Sequence, residues 1–213
     1  MKTDDLVNLL AADTLPVQRK AAPRRLALAL AAGLPLAAVI MLLEGGVRRD
    51  IGQAMLLPMF WVKLLVPALI AAAGFAVLQR LARPGARPGA SWLGIALPVL
   101  LLWALAAVSL ATAPPELRAS LVMGQTWRSC SASIALISLP LFIAAFVALA
   151  SLAPTRLALA GACAGVMAGG AGAAVYALHC PELEAPFLAV WYLLGMAVPV
   201  AAGALLGPRL LRW

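Results

Sequence analysis

The sequence has few of the side chains with which soluble enzymes carry out chemistry. Its 213 residues include one histidine and three cysteines, and only 11% of them are charged. No C-x-x-C, G-x-S-x-G or H-E-x-x-H motif occurs, so the chain lacks the patterns typical of dithiol oxidoreductases, serine hydrolases and metalloproteases. We therefore predict that it is not an enzyme and has no resident cofactor.

Long apolar runs make up most of the chain. Hydrophobic residues account for 64% of it, which is more than a soluble protein of this length could bury. A bilayer core about 30 Å thick is crossed by about 20 helical residues. We predict an all-α, multi-pass membrane protein with six transmembrane helices, at residues 26–43, 59–79, 92–112, 130–152, 157–178 and 187–206.

The positive side chains predict the orientation of these helices. Lys and Arg concentrate in the cytoplasmic segments of membrane proteins. The segments that join the six runs are alternately rich and poor in these two residues. Eleven positive residues fall on one side and four on the other, which predicts that both termini are cytoplasmic. The first set is Lys2, Arg19, Lys20, Arg24, Arg25, Arg80, Arg83, Arg87, Arg156, Arg209 and Arg212, and the second is Arg48, Arg49, Arg118 and Arg128.

This topology divides the chain into three parts. Residues 1–25 form a cytoplasmic tail, residues 26–206 the transmembrane domain, and residues 207–213 a short cytoplasmic C-terminal tail. The net charge of +8 follows the topology and does not gather into one patch with aromatic residues, so we predict no direct binding of nucleic acid.

The N-terminal tail opens with the pattern of a short amphipathic helix. Thr3 can cap it, acidic residues occupy its first turn, and Pro16 ends the pattern. The leucine stripe requires a surface to cover it, and either the lipid surface or a protein partner would serve. The acidic residues repel anionic headgroups, which favours a protein partner. The predicted partner-binding residues are Asp4, Asp5, Leu6, Leu9 and Leu10.

The cysteines suggest a site on the opposite side of the membrane. The topology puts Cys130 and Cys180 at the outer ends of the fourth and fifth helices, whereas Cys163 lies mid-span among small residues. The outer pair is compatible with a disulfide or redox sensor, with soft-metal ligands, or with two unrelated buried thiols. His179 is the third candidate ligand if a soft metal ion is the signal.

Two features lie within the apolar runs: a lysine and a row of glycines. Lys63 is a charged residue inside a span, which makes it either a functional residue or a lysine that snorkels to the interface beside Trp61. Gly161, Gly165 and Gly169 recur every four residues in the fifth helix. This spacing predicts a groove into which a neighbouring helix packs closely.

Several short segments, taken in order, resemble the NrsF-like family of membrane anti-sigma factors, negative regulators of sigma-F. The resemblance extends over the whole chain. The segments that carry it are MKTDDL (1–6), FWVKL (60–64), WRSC (127–130), LAPTR (152–156), ALHCPE (177–182), WY (191–192) and GPRLLRW (207–213).

The resemblance implies a bacterial inner-membrane protein that holds an extracytoplasmic-function sigma factor inactive and releases it under metal or oxidative stress. In that family two periplasmic cysteines support the stress response, and they match Cys130 and Cys180. From the residues alone, a small membrane transporter or a metal-handling membrane protein is the alternative, although the midplane of the spans is almost free of polar side chains.

Overall fold

The computed structural model describes residues 3, 5, 7, 21–83, 85 and 89–212, and this part of the chain is helical with no β-strand. Six of its helices are long and apolar enough to cross a membrane, which confirms the predicted number. We number the six long helices α1 (Ala21–Glu44), α2 (Pro58–Leu81), α3 (Leu93–Thr112), α4 (Trp127–Ala150), α5 (Leu157–Tyr176) and α6 (Leu193–Leu210).

Shorter helical segments occupy the connections. A four-residue helix, Ile51–Ala54, lies between α1 and α2, and Pro115–Met123 precedes α4. The turn Ala185–Phe187 continues into a π-helical segment, Leu188–Tyr192, and then directly into α6. Single π-helical turns inside α-helices are often found at functional sites.

Helix α1 reaches further than the apolar pattern indicated. Helix α1 begins at Ala21, before the basic pair that precedes the first run, because arginine can remain helical while its head group leaves the hydrocarbon. Arg25 donates a hydrogen bond of 2.5 Å to the carbonyl of Ser151. This bond joins the start of α1 to the end of α4.

Helix α5 is the centre of the bundle, with α2, α4 and α6 packed around it. The helix consists largely of alanine and glycine, and most of its residues are buried. A Cβ atom on Gly165 would overlap the carbonyl oxygen of Pro199 and lie 2.6 Å from the Cα of Val200. The close helix packing predicted from the glycine row is thus confirmed, with α6 as the neighbour.

The N-terminal tail is described at three residues only. Thr3, Asp5 and Val7 are helical and exposed. The other predicted partner-binding residues, Asp4, Leu6, Leu9 and Leu10, lie outside the described residues.

Candidate functional site

The loop that joins α5 to α6 (residues 177–184, the Cys180 loop) brings two cysteines together. Cys180 lies in this loop and Cys130 in the first turn of α4, and both side chains are fully buried. Their thiols lie close enough to interact, and both are free cysteines. The pair lies at the end of the bundle where α1, α3 and α5 finish, which we call the cysteine end.

Lys63 holds the Cys180 loop from the side of α2. Its ammonium group donates hydrogen bonds to the carbonyl of Cys180 and, at 2.8 Å, to the carbonyl of Glu182. The side chain is only 1% exposed, so the snorkelling alternative is wrong. The carbonyls of the loop satisfy the ammonium inside the bundle, and it therefore does not extend to the membrane surface.

Arg48 holds the same loop from the connection between α1 and α2. Its backbone N–H donates to the carbonyl of Leu178 at 3.0 Å. Its guanidinium lies 3.4 Å from the carbonyl oxygens of Cys180 and Pro181 and forms a 2.7 Å salt bridge with Asp50. This hydrogen bond and the nearby positive charge lower the pKa of the exposed Asp50 carboxyl to about 2.

Glu182 ties the loop to the start of α4. Its carboxylate accepts hydrogen bonds from the backbone N–H of Gln125 at 2.7 Å and of Thr126 at 3.2 Å. These N–H groups precede the first turn of α4, where a carboxylate also interacts favourably with the helix dipole. Cys130 donates its own N–H to the carbonyl of Thr126 at 3.0 Å. Glu182 therefore fixes the position of Cys180 relative to Cys130.

Aromatic rings cover the pair on the side of α5 and α6. The ring of Tyr192 lies 5.7 Å from the ammonium of Lys63 and 5.9 Å from the ring of Tyr176. The hydroxyl of Tyr192 is buried beside the Cys180 thiol without a well-directed hydrogen bond to any described residue. The rings exclude water from the site, and electrostatic interactions are stronger there because the local dielectric constant is low.

The surroundings of Cys180 favour its thiolate. The neighbouring Cys130 thiol is the largest cause, and the positive charge of Lys63 acts in the same direction against the opposing effect of burial. Together they lower the pKa of the Cys180 thiol. Because the thiolate is the nucleophilic form of cysteine, the surroundings favour Cys180 as the nucleophile of the pair.

The other two predicted ligand or thiol positions do not join this pair. Nδ1 of His179 lies 2.7 Å from the carbonyl oxygen of Gly46, and the described residues contain no group of three His, Cys, Asp or Glu side chains placed to hold a metal ion. The proposed set of Cys130, Cys180 and His179 is therefore not assembled as a three-ligand site. Cys163 is buried in α5, 13 residues or about 20 Å of helix before Tyr176.

These features define the class of the protein. The described part is a bundle of six potential membrane-spanning helices with a buried thiol pair held at one end by a lysine, an arginine and a glutamate. Two such thiols can release two electrons by forming a disulfide and take up two electrons when it is broken.

The chain belongs to the family described as "Negative regulator of sigma F" (NrsF), whose model matches residues 10–213. It is 50% identical over 214 residues to the probable anti-sigma-F factor NrsF of Azospira oryzae. It is 42% identical over 217 residues to the anti-sigma-F factor NrsF of Caulobacter vibrioides. In both comparisons the match covers 100% of each protein. No solved structure matches this chain.

Family membership confirms the resemblance found in the sequence. It also confirms that the role of the chain is regulatory and not catalytic, because the family consists of anti-sigma factors.

Proposed function

We propose that this protein holds an extracytoplasmic-function sigma factor inactive at the bacterial inner membrane and releases it when Cys130 and Cys180 are oxidised. The observation that carries the proposal is the contact between two buried free thiols at the cysteine end. The names of the two relatives, both anti-sigma-F factors, support the choice of partner. The charge distribution supports a periplasmic location of the cysteine end, where disulfides persist.

The two redox states must differ in their affinity for the sigma factor if oxidation is to release it. A tenfold change in affinity requires a coupling free energy of about 1.4 kcal/mol. Disulfide formation joins two separate thiols by a covalent bond of defined length and dihedral angle, so we expect the Cys180 loop to move relative to α4. The Cys180 loop follows α5 and precedes α6, and these two helices pack against each other along their length. A movement of the loop can therefore shift both helices and reach the other end of the bundle.

Co-purification tests the proposal directly. The intact protein, extracted from membranes under reducing conditions, is expected to bring down a sigma factor, and treatment with a hydroperoxide before extraction is expected to reduce the amount at least tenfold. Cadmium ions, which bind thiols, replace the hydroperoxide in a parallel experiment and test whether metal binding also reduces the amount of sigma factor. Purification without any sigma factor, or equal recovery from reduced and oxidised membranes, would refute the proposal.

The tail makes the first specific prediction. If Leu6 and Leu10 bind the sigma factor, their replacement by Asp removes apolar contact area and introduces charge into the interface. Loss of two buried leucines costs about 3 kcal/mol or more, so we expect at least a hundredfold weaker binding and constitutive expression of the sigma-dependent genes. Gln18→Ala, at a position beyond the Pro16 that ends the predicted helix, is the control for changes that leave the stripe intact. Unchanged basal expression, with the double variant still in the membrane, would contradict the role of the tail.

The orientation makes a second prediction. With both termini in the cytoplasm, a fluorescent protein fused after Trp213 is expected to fluoresce, and alkaline phosphatase fused at the same place is expected to be inactive. A phosphatase fused after Gly124, in the segment that precedes α4, is expected to be active. The reverse pattern would place the cysteine end in the cytoplasm and remove the basis for sensing periplasmic oxidants.

A further inference from the structure

Lys63 carries a buried charge without an acidic partner. Its ammonium is satisfied by main-chain carbonyls, and the salt bridge described at this end of the bundle joins Arg48 to Asp50 and does not include Lys63. Carbonyl oxygens supply hydrogen bonds and only partial negative charge. A buried cation is costly unless an anion compensates for it, so the charge of Lys63 calls for a nearby group that can become negative.

The thiol of Cys180 is such a group. Lys63 donates a hydrogen bond to the carbonyl of the same residue and a second one to the carbonyl of Glu182 in the same loop. Cys130 instead lies in the first turn of α4. The two cysteines are thus unequal, because the ammonium is fixed to the residue that carries the Cys180 thiol.

We propose that Lys63 is the positioning residue that makes Cys180 the attacking thiol and Cys130 the resolving thiol in the reaction with a small hydroperoxide. This inference rests on the proposed redox function and adds to it the order of the two thiols, the class of oxidant and a residue outside the pair. Lys63 acts through its charge and through its hold on the Cys180 loop.

The chemistry balances in two steps. The Cys180 thiolate attacks the O–O bond of the hydroperoxide, and the leaving oxygen takes a proton and departs as an alcohol, or as water when the oxidant is hydrogen peroxide. Cys180 is then a sulfenic acid. The sulfur of Cys130 attacks it, the disulfide forms, and the sulfenic oxygen leaves as water with the proton of Cys130. Two thiols lose two electrons, which the hydroperoxide accepts.

The burial of the pair selects a small oxidant. Both side chains are fully buried, and the aromatic rings of Tyr176 and Tyr192 pack beside them. Glutathione disulfide and protein disulfides are too large to bring a sulfur into line with the Cys180 thiolate without opening the loop. Hydrogen peroxide is close to water in size and uncharged.

Replacement of Lys63 by Met tests the role of the charge. Methionine has a similar length and suits an apolar helix, so the variant retains the bulk of the side chain. We expect its pair to be oxidised by hydrogen peroxide at least tenfold more slowly in the purified full chain, in nanodiscs and in a Cys163→Ser background. The thiols are counted by alkylation after unfolding in SDS. Arg128→Met is the matched control, because it removes an exposed charge two residues from Cys130 and leaves the Cys180 loop untouched.

The reduction potential separates the charge from a purely structural effect. A cation that stabilises the thiolate stabilises the reduced pair and raises its potential. Lys63→Met is therefore expected to shift the potential to more negative values by about 30 mV for each tenfold change in the equilibrium constant. A residue that only held the cysteines together would have the opposite effect, because its loss would disfavour the disulfide. Lys63→Arg keeps the charge and is expected to keep the potential close to that of the parent.

The order of the thiols is tested by trapping the sulfenic acid with dimedone, which is added together with SDS so that the buried sulfur becomes accessible. The Cys130→Ser variant, which retains Cys180, is expected to form the adduct with hydrogen peroxide, and the Cys180→Ser variant is expected to form at least tenfold less. Equal trapping in the two variants, or an unchanged rate and potential in Lys63→Met, would overturn this inference. The proposed function would survive such a result if oxidation of the parent pair still released the sigma factor, and it would fall if that release did not occur.

Discussion

Serine at either Cys130 or Cys180 is expected to abolish induction of the sigma-dependent genes by oxidant. One remaining thiol cannot form the disulfide, and the bound state would persist because the inner face of the bundle is unchanged. We expect induction to fall at least tenfold in each single variant, measured with a reporter under a sigma-dependent promoter. The double variant should be no worse than the worse single one, since the two thiols act as a unit.

Cys163→Ser provides the control for this prediction, because Cys163 is buried in α5 far from the pair. It should leave induction intact. Labelling gives a second measurement that does not depend on transcription. A maleimide should modify Cys180 in reduced, unfolded protein more than in protein that was oxidised before unfolding. Induction of both single variants to the level of the parent would rule out the pair as the sensor.

A leucine at Gly165 is expected to remove the folded protein from the membrane. Helix α6 approaches so closely that even the first carbon of a side chain would overlap the carbonyl oxygen of Pro199. Backbone cannot move aside as a flexible side chain can, so the helices must separate. Overpacking a tight core costs about 1–3 kcal/mol, and we expect Gly165→Ala to lose that much stability and Gly165→Leu to be degraded.

Gly52→Ala is the matched control, because a Cβ on Gly52 meets no atom within 4 Å. The measurements are the amount of protein in the membrane fraction and the thermal unfolding of the purified variants. Loss of the protein should also free the sigma factor and give constitutive expression, which distinguishes this variant from the cysteine variants with their low basal level. A Gly165→Leu protein as abundant and stable as the parent would contradict the close packing of α5 and α6.

Those features that depend on residues near each other in sequence could be predicted from the sequence. Hydrophobicity over about 20 residues locates the six helices, and the spacing of Gly161, Gly165 and Gly169 reports one face of one helix. Both patterns are local, so neither requires knowledge of which helices are neighbours. The topology could likewise place Cys130 and Cys180 at the same boundary, but it could not bring their thiols into contact.

The rest of the site depends on contacts between distant segments. Lys63 and Cys180 are 117 residues apart in sequence, and no periodicity indicates that the loop would supply carbonyls for the ammonium. The snorkelling alternative was wrong for this reason. It followed from the position of Lys63 within its own helix and near the lipid surface, whereas the groups that bind the ammonium lie in a distant loop. A signal for Lys63 was present in the sequence, because it is a charged residue inside a span. No pattern indicated that Glu182, Arg48 and Tyr192 belong to the same site.

The composition of α5 also determines when the protein can become functional during its synthesis. It is the least apolar of the six spans and the one with the largest buried share, so lipid alone offers it little stabilisation. The row Gly161, Gly165 and Gly169 packs against α6, which is synthesised after the other five helices. The Cys180 loop connects α5 and α6, whereas Cys130 lies in a helix made earlier. We therefore expect Cys180 to reach its place beside Cys130 only when α6 packs on α5, and a chain truncated before α6 to lack the assembled pair.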